Sequence, residues 1–123
     1  MLGRKNILLV CDDELISQLT QKRLEILGYN PMVAPNAEAG RSIFLRNSEK
    51  FDLVMVDHIL FDGNGVDLAS EFLDIRPGIA IALYTGGALT IEDVQSKGIR
   101  AVIPKVLTME EFTEALKRVF DVA

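Results

Sequence analysis

Four continuous apolar runs punctuate the chain: Ile7 to Cys11, Leu53 to Val56, Ile79 to Tyr84 and Ala101 to Ile103. None alternates with polar residues. Short unbroken runs are how strands buried on both faces read, as in a parallel sheet covered by helices. A weaker run, Met32 to Ala34, lies between Pro31 and Pro35. It predicts an edge strand, because proline cannot donate to a sheet ladder.

The segments between the runs carry the helical period. From Leu15 to Leu27, the positions Leu15, Ile16, Leu19, Leu24, Ile26 and Leu27 fall on one broad face, and Gly28 offers a left-handed stop. Asn36 can cap a helix from Ala37 to about Arg46. A third helix opens at Asn64 or Gly65, turns Leu68, Phe72 and Ile75 inward, and closes at Pro77-Gly78. A short fourth spans Ile91 to Lys97, with Thr90 as cap and Gly98 as stop. Thr108-Met109-Glu110-Glu111 is a capping box that starts a fifth, whose Met109, Phe112, Leu116, Val119 and Phe120 share a stripe. Strands alternating with helices imply an α/β fold, here a doubly wound five-stranded parallel sheet with helices on both faces.

Size and composition narrow the rest. The 123 residues suit one domain, and 49% hydrophobic with 25% charged residues is ordinary globular usage. A net charge of −5, with no Lys/Arg block, argues against a direct nucleic-acid surface. No apolar stretch approaches a membrane span, so no membrane insertion is expected. The opening MLGRKNILLVCDDE loosely resembles a signal peptide, but its apolar run is short and ends in acids, so it reads as the first strand. The single cysteine, Cys11, cannot pair within the chain and suits a reducing, cytoplasmic setting.

In open parallel sheets, ligands gather at the carboxyl ends of the strands. Asp12 and Asp13 follow the first apolar run, and Asp57 and His58 follow the Leu53 run. Thr85, Gly86 and Gly87 follow the Ile79 run, and Pro104 and Lys105 follow the last. The topology brings three aspartates, a hydroxyl and an ammonium to one edge. Adjacent carboxylates repel, and a hard cation such as magnesium relieves them, binding a few carboxylates, water and a phosphate oxygen. A carboxylate can also attack phosphorus and form an acyl phosphate, while a lysine and a hydroxyl hold the phosphoryl oxygens. Asp57 then reads as nucleophile, Asp12 and Asp13 as metal ligands, Lys105 as counter-charge and Thr85 as hydroxyl. The run Asp12-Asp13-Glu14 equally suits a cap for the first helix, favouring its dipole, and the two readings are compatible.

These residues, in this order, resemble the receiver domain of two-component response regulators, the family of the chemotaxis regulators. The resemblance runs from Lys5 to about Val122 and includes the loop Asp57-His58-Ile59-Leu60-Phe61-Asp62-Gly63-Asn64-Gly65. It implies a flavodoxin-like sheet of strand order 2-1-3-4-5 and a single receiver domain over residues 1–123. Asp57 becomes the phosphoacceptor, and a histidine kinase or phosphotransfer domain the donor. Magnesium is held by Asp13, Asp57 and the backbone carbonyl of Ile59, with Asp12 acting through water. Thr85 and Lys105 bind the phosphoryl oxygens and move inward on phosphorylation. The implied partners also include an output domain, attached or separate, and a second copy of the chain in a phosphorylation-dependent dimer. Such a domain assists its own phosphorylation and slow dephosphorylation and is not otherwise an enzyme.

Three positions depart from the family pattern. Phe61 stands where proline is usual, and Val106 stands after the lysine where the family carries a cis proline. A non-proline cis bond costs about 3 kcal/mol, so a trans Lys105-Val106 bond is expected. Val102 replaces the rotating aromatic three residues before the lysine. These changes support an alternative, a non-switching receiver-like protein–protein interaction module. A small hydrolase on the same fold ranks lower, because Ile59 stands where a further acid/base carboxylate would be needed. Tyr84 is expected to pack against helices rather than replace the missing aromatic. The chain ends just after its fifth helix, so it is expected to be a stand-alone regulator or a receiver from a larger protein.

Overall fold

The apolar runs become the strands of one parallel sheet. The computed structural model describes residues 3–121; residues 1–2 and 122–123, the ends of the expected domain and of the family resemblance, lie outside the described residues. The strands are β1 (Asn6–Val10), β2 (Asn30–Ala34), β3 (Leu53–Asp57), β6 (Ala80–Thr85) and β7 (Ala101–Pro104). They pair in the order β2-β1-β3-β6-β7, all parallel, which is the expected 2-1-3-4-5 order. A two-stranded hairpin, β4 (Ile59–Leu60) with β5 (Gly63–Asn64), stands apart from this sheet. The helices are α1 (Glu14–Ile26), α2 (Ala37–Asn47), α3 (Gly65–Ile75), α4 (Ile91–Val94) and α5 (Met109–Asp121).

Side chains alternate along each strand, so the sheet has two apolar faces. Leu8, Val10, Val54, Val56, Ile81 and Leu83 meet α2, α3 and α4, while Ile7, Leu9, Met55, Ala82 and Tyr84 meet α1 and α5. On the first face Phe44 stacks on Phe72, with ring centroids 4.3 Å apart, and on Phe51 at 6.4 Å. Each such pair adds about 1 kcal/mol beyond the area it buries.

The helix ends follow the sequence signals. Asn36 accepts the Ala39 N–H at 2.7 Å, and Thr108 and Glu111 close a capping box at 2.9 and 3.1 Å. Gly28 and Gly98 take the left-handed conformation, at φ of 91° and 86°. The fourth helix is α-helical only over Ile91–Val94 and tightens to a 3₁₀ turn over Gln95–Lys97.

Two expected faces are corrected. In α1 the buried residues are Ser17, Thr20 and Leu24, while Leu15 is 76% exposed and Leu19 and Ile26 also face outward. The apolar positions of α1 split into two stripes, and the sheet takes the one containing Thr20. A polar residue is tolerated there because Thr20 Oγ1 and the Tyr84 hydroxyl hydrogen-bond at 2.8 Å across the core. In α3, Leu68 and Phe72 point inward as expected, but Ile75, at the helix end, is exposed. Among the described residues no helix is long and apolar enough to cross a membrane.

Candidate functional site

The carboxyl edge of the sheet is built by three strand ends locked together. The His58 N–H donates to the Tyr84 carbonyl at 3.0 Å, and the Lys105 N–H donates to the Thr85 carbonyl at 2.8 Å. These bonds fix the exits of β3, β6 and β7 in register, and with them Asp57, Thr85 and Lys105. A shallow cleft lined by His58, Ile59, Thr85, Gly86, Gly87 and Lys105 opens there.

Asp57 is fully buried, at 0% exposure, and among the described residues it is the one buried carboxylate. Lys105 Nζ stands 3.2 Å from its Oδ1. The lysine is within ion-pair reach but off the line of a hydrogen bond, so Oδ1 has no hydrogen-bond partner. Oδ2 accepts the Asp12 N–H at 3.3 Å. Burial is the main influence on this carboxyl and holds its pKa above the usual value, while Lys105 pulls in the other direction. A buried acceptor oxygen left without a bond is costly, and such costs are concentrated where a ligand or reaction takes up the free valence.

Thr85 is buried, and its Oγ1 accepts the Gly87 N–H at 3.0 Å. That bond fixes the oxygen and leaves the hydroxyl proton to donate. His58 is half-buried at the cleft wall.

The other acids lie beside Asp57 but with their carboxylates engaged elsewhere. Asp13 is the N-cap of α1, its Oδ1 accepting the Ile16 N–H at 2.9 Å. Glu14 lies in the first turn, where the helix dipole favours it. Asp12 Oδ2 accepts the Phe61 N–H at 2.7 Å. Among the described residues no three His, Cys, Asp or Glu side chains stand close enough to form a metal cage. The donor chemistry still fits magnesium, which needs only one or two carboxylates and otherwise keeps its water. Asp57 Oδ1, whose close neighbour is the Lys105 ammonium at 3.2 Å, is such a donor, and Asp12, Asp13 and the Ile59 carbonyl belong to the segments flanking it.

The β4–β5 hairpin escaped sequence reading. Its strands are two residues each and show no periodicity, and its turn is Phe61-Asp62. Asp62 fastens it to α2, accepting the Ala37 and Glu38 N–H groups at 2.9 and 3.1 Å. Those bonds hold the Asp62 carboxyl below its usual pKa. The acidic residue just past a Phe in a turn was the only available signal, and nothing local points it at α2.

The peripheral expectations can also be placed. Tyr84 is buried and pinned by Thr20, so it packs as expected. Val102 is half-buried against the α4 side of the core, and Val106 is 89% exposed. Among the described residues no peptide bond is cis, so Lys105-Val106 is trans.

Cys11 is buried beside Asp57, and its thiol is pushed up to about 12, first by burial and then by the Asp57 charge. Its thiolate population in the native protein is therefore roughly a thousandfold below that of an ordinary thiol. Labelling by a thiol reagent at pH 8 should follow the unfolding transition in urea. Complete labelling of the native protein within the reagent's mixing time would contradict this placement.

The response regulator receiver domain family model matches residues 7–117. The chain is 34% identical over 109 residues to the transcriptional regulatory protein RprY of Bacteroides fragilis, covering 87% of this chain and 45% of that one. The match spans 45% and 56% of two curated relatives and 18% of two others. Among solved structures, the non-phosphorylated HemR receiver domain of Leptospira biflexa superposes with a TM-score of 0.85 at 31% identity, covering 98% of this chain and 97% of that one. The response regulator TrrA of Thermotoga maritima, solved in complex with Mg(2+)-BeF, superposes at 0.83 with 26% identity, covering 94% and 98%.

Proposed function

This chain belongs to the response regulator receiver family of two-component signalling, and from that premise we propose that it accepts a phosphoryl group on Asp57 with magnesium. The observation that carries this reading is the Asp57 carboxylate itself. It is fully buried at the end of a central strand, with a lysine at 3.2 Å and one oxygen free of hydrogen bonds.

In the transfer, an Asp57 oxygen forms the new O–P bond as the P–N bond of a phosphohistidine breaks, and the departing imidazole keeps the electron pair and takes a proton. The donor is a histidine kinase or phosphotransfer domain. Lys105 Nζ follows the charge from Asp57 onto a phosphoryl oxygen, and the Thr85 hydroxyl donates to another. Lys105 also limits the cost of a buried carboxylate before transfer. Asp13, Asp57 and the Ile59 carbonyl would hold magnesium, with Asp12 one water further out. A bound ion supplies positive charge to the phosphoryl oxygens as they approach these acids. The Thermotoga relative's complex with Mg(2+)-BeF supports that half of the reading.

A second reading, a receiver-like module that binds partners without switching, has an observation in its favour. Val102 has no ring to rotate, and Tyr84, on the opposite face of the sheet, is held by its hydroxyl at 2.8 Å. Beryllium fluoride with magnesium should alter amide exchange around Thr85 and Lys105 if the domain switches, and leave it unaltered if it does not.

The phosphorylation reading is tested by incubating the protein with a small phosphodonor. Magnesium should give one hydroxylamine-labile phosphoryl adduct per chain, and chelation should reduce uptake to background. Uptake that is equal with and without the metal would contradict the metal assignment.

A further inference from the structure

The acids at this edge are close in sequence and near Asp57, yet they do not converge. The reason is specific: two of them already accept backbone N–H groups. Asp13 caps α1 through Oδ1. Asp12 reaches across to the hairpin turn and takes the Phe61 N–H at 2.7 Å. The first of these bonds belongs to a helix of 13 residues. The second holds the tip of a hairpin whose strands are two residues each and whose Phe61 is 77% exposed. It is therefore the weaker of the two restraints.

We propose that the Phe61 N–H competes with the divalent cation for the Asp12 carboxylate, so that metal binding unclasps the tip of the β4–β5 hairpin. The inference rests on the magnesium reading of the site and adds a residue to it. A carboxylate oxygen that accepts an N–H has given up part of its negative charge to that bond. Metal affinity is then reduced whether Asp12 turns fully to the ion or meets it through a water. Phe61 acts through its backbone alone, as a positioning residue.

The hairpin has a second anchor that the ion does not touch. Asp62 accepts from Ala37 and Glu38 at the start of α2. Releasing Phe61 leaves that tie intact, so the hairpin pivots on Asp62 instead of detaching. Ile59, whose carbonyl is among the proposed ligands, lies at the start of the same hairpin. The clasp thus links the position of one ligand to the occupation of another.

Proline is the one residue that removes the N–H, and Phe61→Ala removes the ring while keeping it. Magnesium affinity of the full chain, read by titration calorimetry, should tighten roughly threefold to tenfold in Phe61→Pro, the net worth of one ordinary hydrogen bond at an exposed site. It should stay within about twofold of the parent in Phe61→Ala. In the unaltered protein, saturating magnesium should speed exchange of the Phe61 amide and leave the Ala37 and Glu38 amides as they were. That measurement needs no variant and so does not depend on Phe61→Pro folding. Equal affinity in all three proteins, tightening in Phe61→Ala to match Phe61→Pro, or a Phe61 amide unchanged by magnesium would each overturn the proposal. Absence of magnesium binding in every protein would overturn the metal reading itself, and the proposal with it.

Discussion

Asp57→Asn is expected to abolish phosphoryl uptake and, in the same protein, to raise stability at neutral pH. The first effect follows from chemistry: a carboxamide offers no anionic oxygen, so no acyl phosphate forms. Uptake should fall to background, because the exposed Asp12 and Asp13 carry their carboxylates on backbone N–H groups and lack a lysine at ion-pair distance. The second effect follows from burial. The folded Asp57 carboxyl titrates above its usual value of 3.8, chiefly through burial, so the folded state binds its proton more tightly than the unfolded chain does. Stability is therefore lost as pH rises through the interval from the unfolded value to the folded one, and above it the full cost is present. Removing the charge should therefore raise stability at pH 7. The gain should shrink as the solution is acidified through that interval and vanish below the ordinary carboxylate range. A variant that is less stable than the parent at pH 7 would contradict this account of Asp57.

Gly65→Ala should disable the site by a different route. Gly65 is buried where α3 begins, and its N–H donates to the His58 carbonyl at 2.8 Å. That bond brings it over the Asp57 peptide, and a Cβ there would stand well inside contact distance of the Asp57 carbonyl oxygen, a backbone atom that cannot swing away. Either the loop opens or the Asp57 peptide shifts. The expected cost is about 3 kcal/mol of stability. Where the variant folds, uptake should fall by about 10²-fold, because the nucleophile is displaced. Gly63→Ala provides the contrast, since its Cβ would meet only the Ala37 Cβ, at 3.4 Å. It should leave uptake and melting temperature nearly unchanged. If both alanines were equally silent, the close approach at Gly65 would have no role.

Much of the fold could be read in the sequence because parallel strands buried on both faces need no polar alternation. Leu53 to Val56 could hardly be anything else. The capping box at Thr108 and the stops at Gly28 and Gly98 were legible because their geometry is local. The α1 face was not, because burying Thr20 depends on the hydroxyl of Tyr84, 64 residues away. The β4–β5 hairpin was hidden for a similar reason: its identity lies in Asp62 reaching α2 and Asp12 reaching Phe61, contacts between distant segments. Candidate site residues follow from the strand-end rule, which needs only topology: Asp57 and Lys105 stand 3.2 Å apart, and Thr85 lines the same cleft as Lys105. What sequence could not say is how the acids are engaged before a ligand arrives. Asp13 caps α1 through Oδ1, so the proposed metal role has to coexist with that bond.

The most direct test of the central claim is to locate the phosphoryl group. After treatment with magnesium and a small phosphodonor, borohydride reduction converts an acyl phosphate to an alcohol, and tandem mass spectrometry identifies the residue reduced. The account predicts reduction at position 57 alone. Reduction at Asp12 or Asp13, or an adduct that resists hydroxylamine and borohydride, would contradict it.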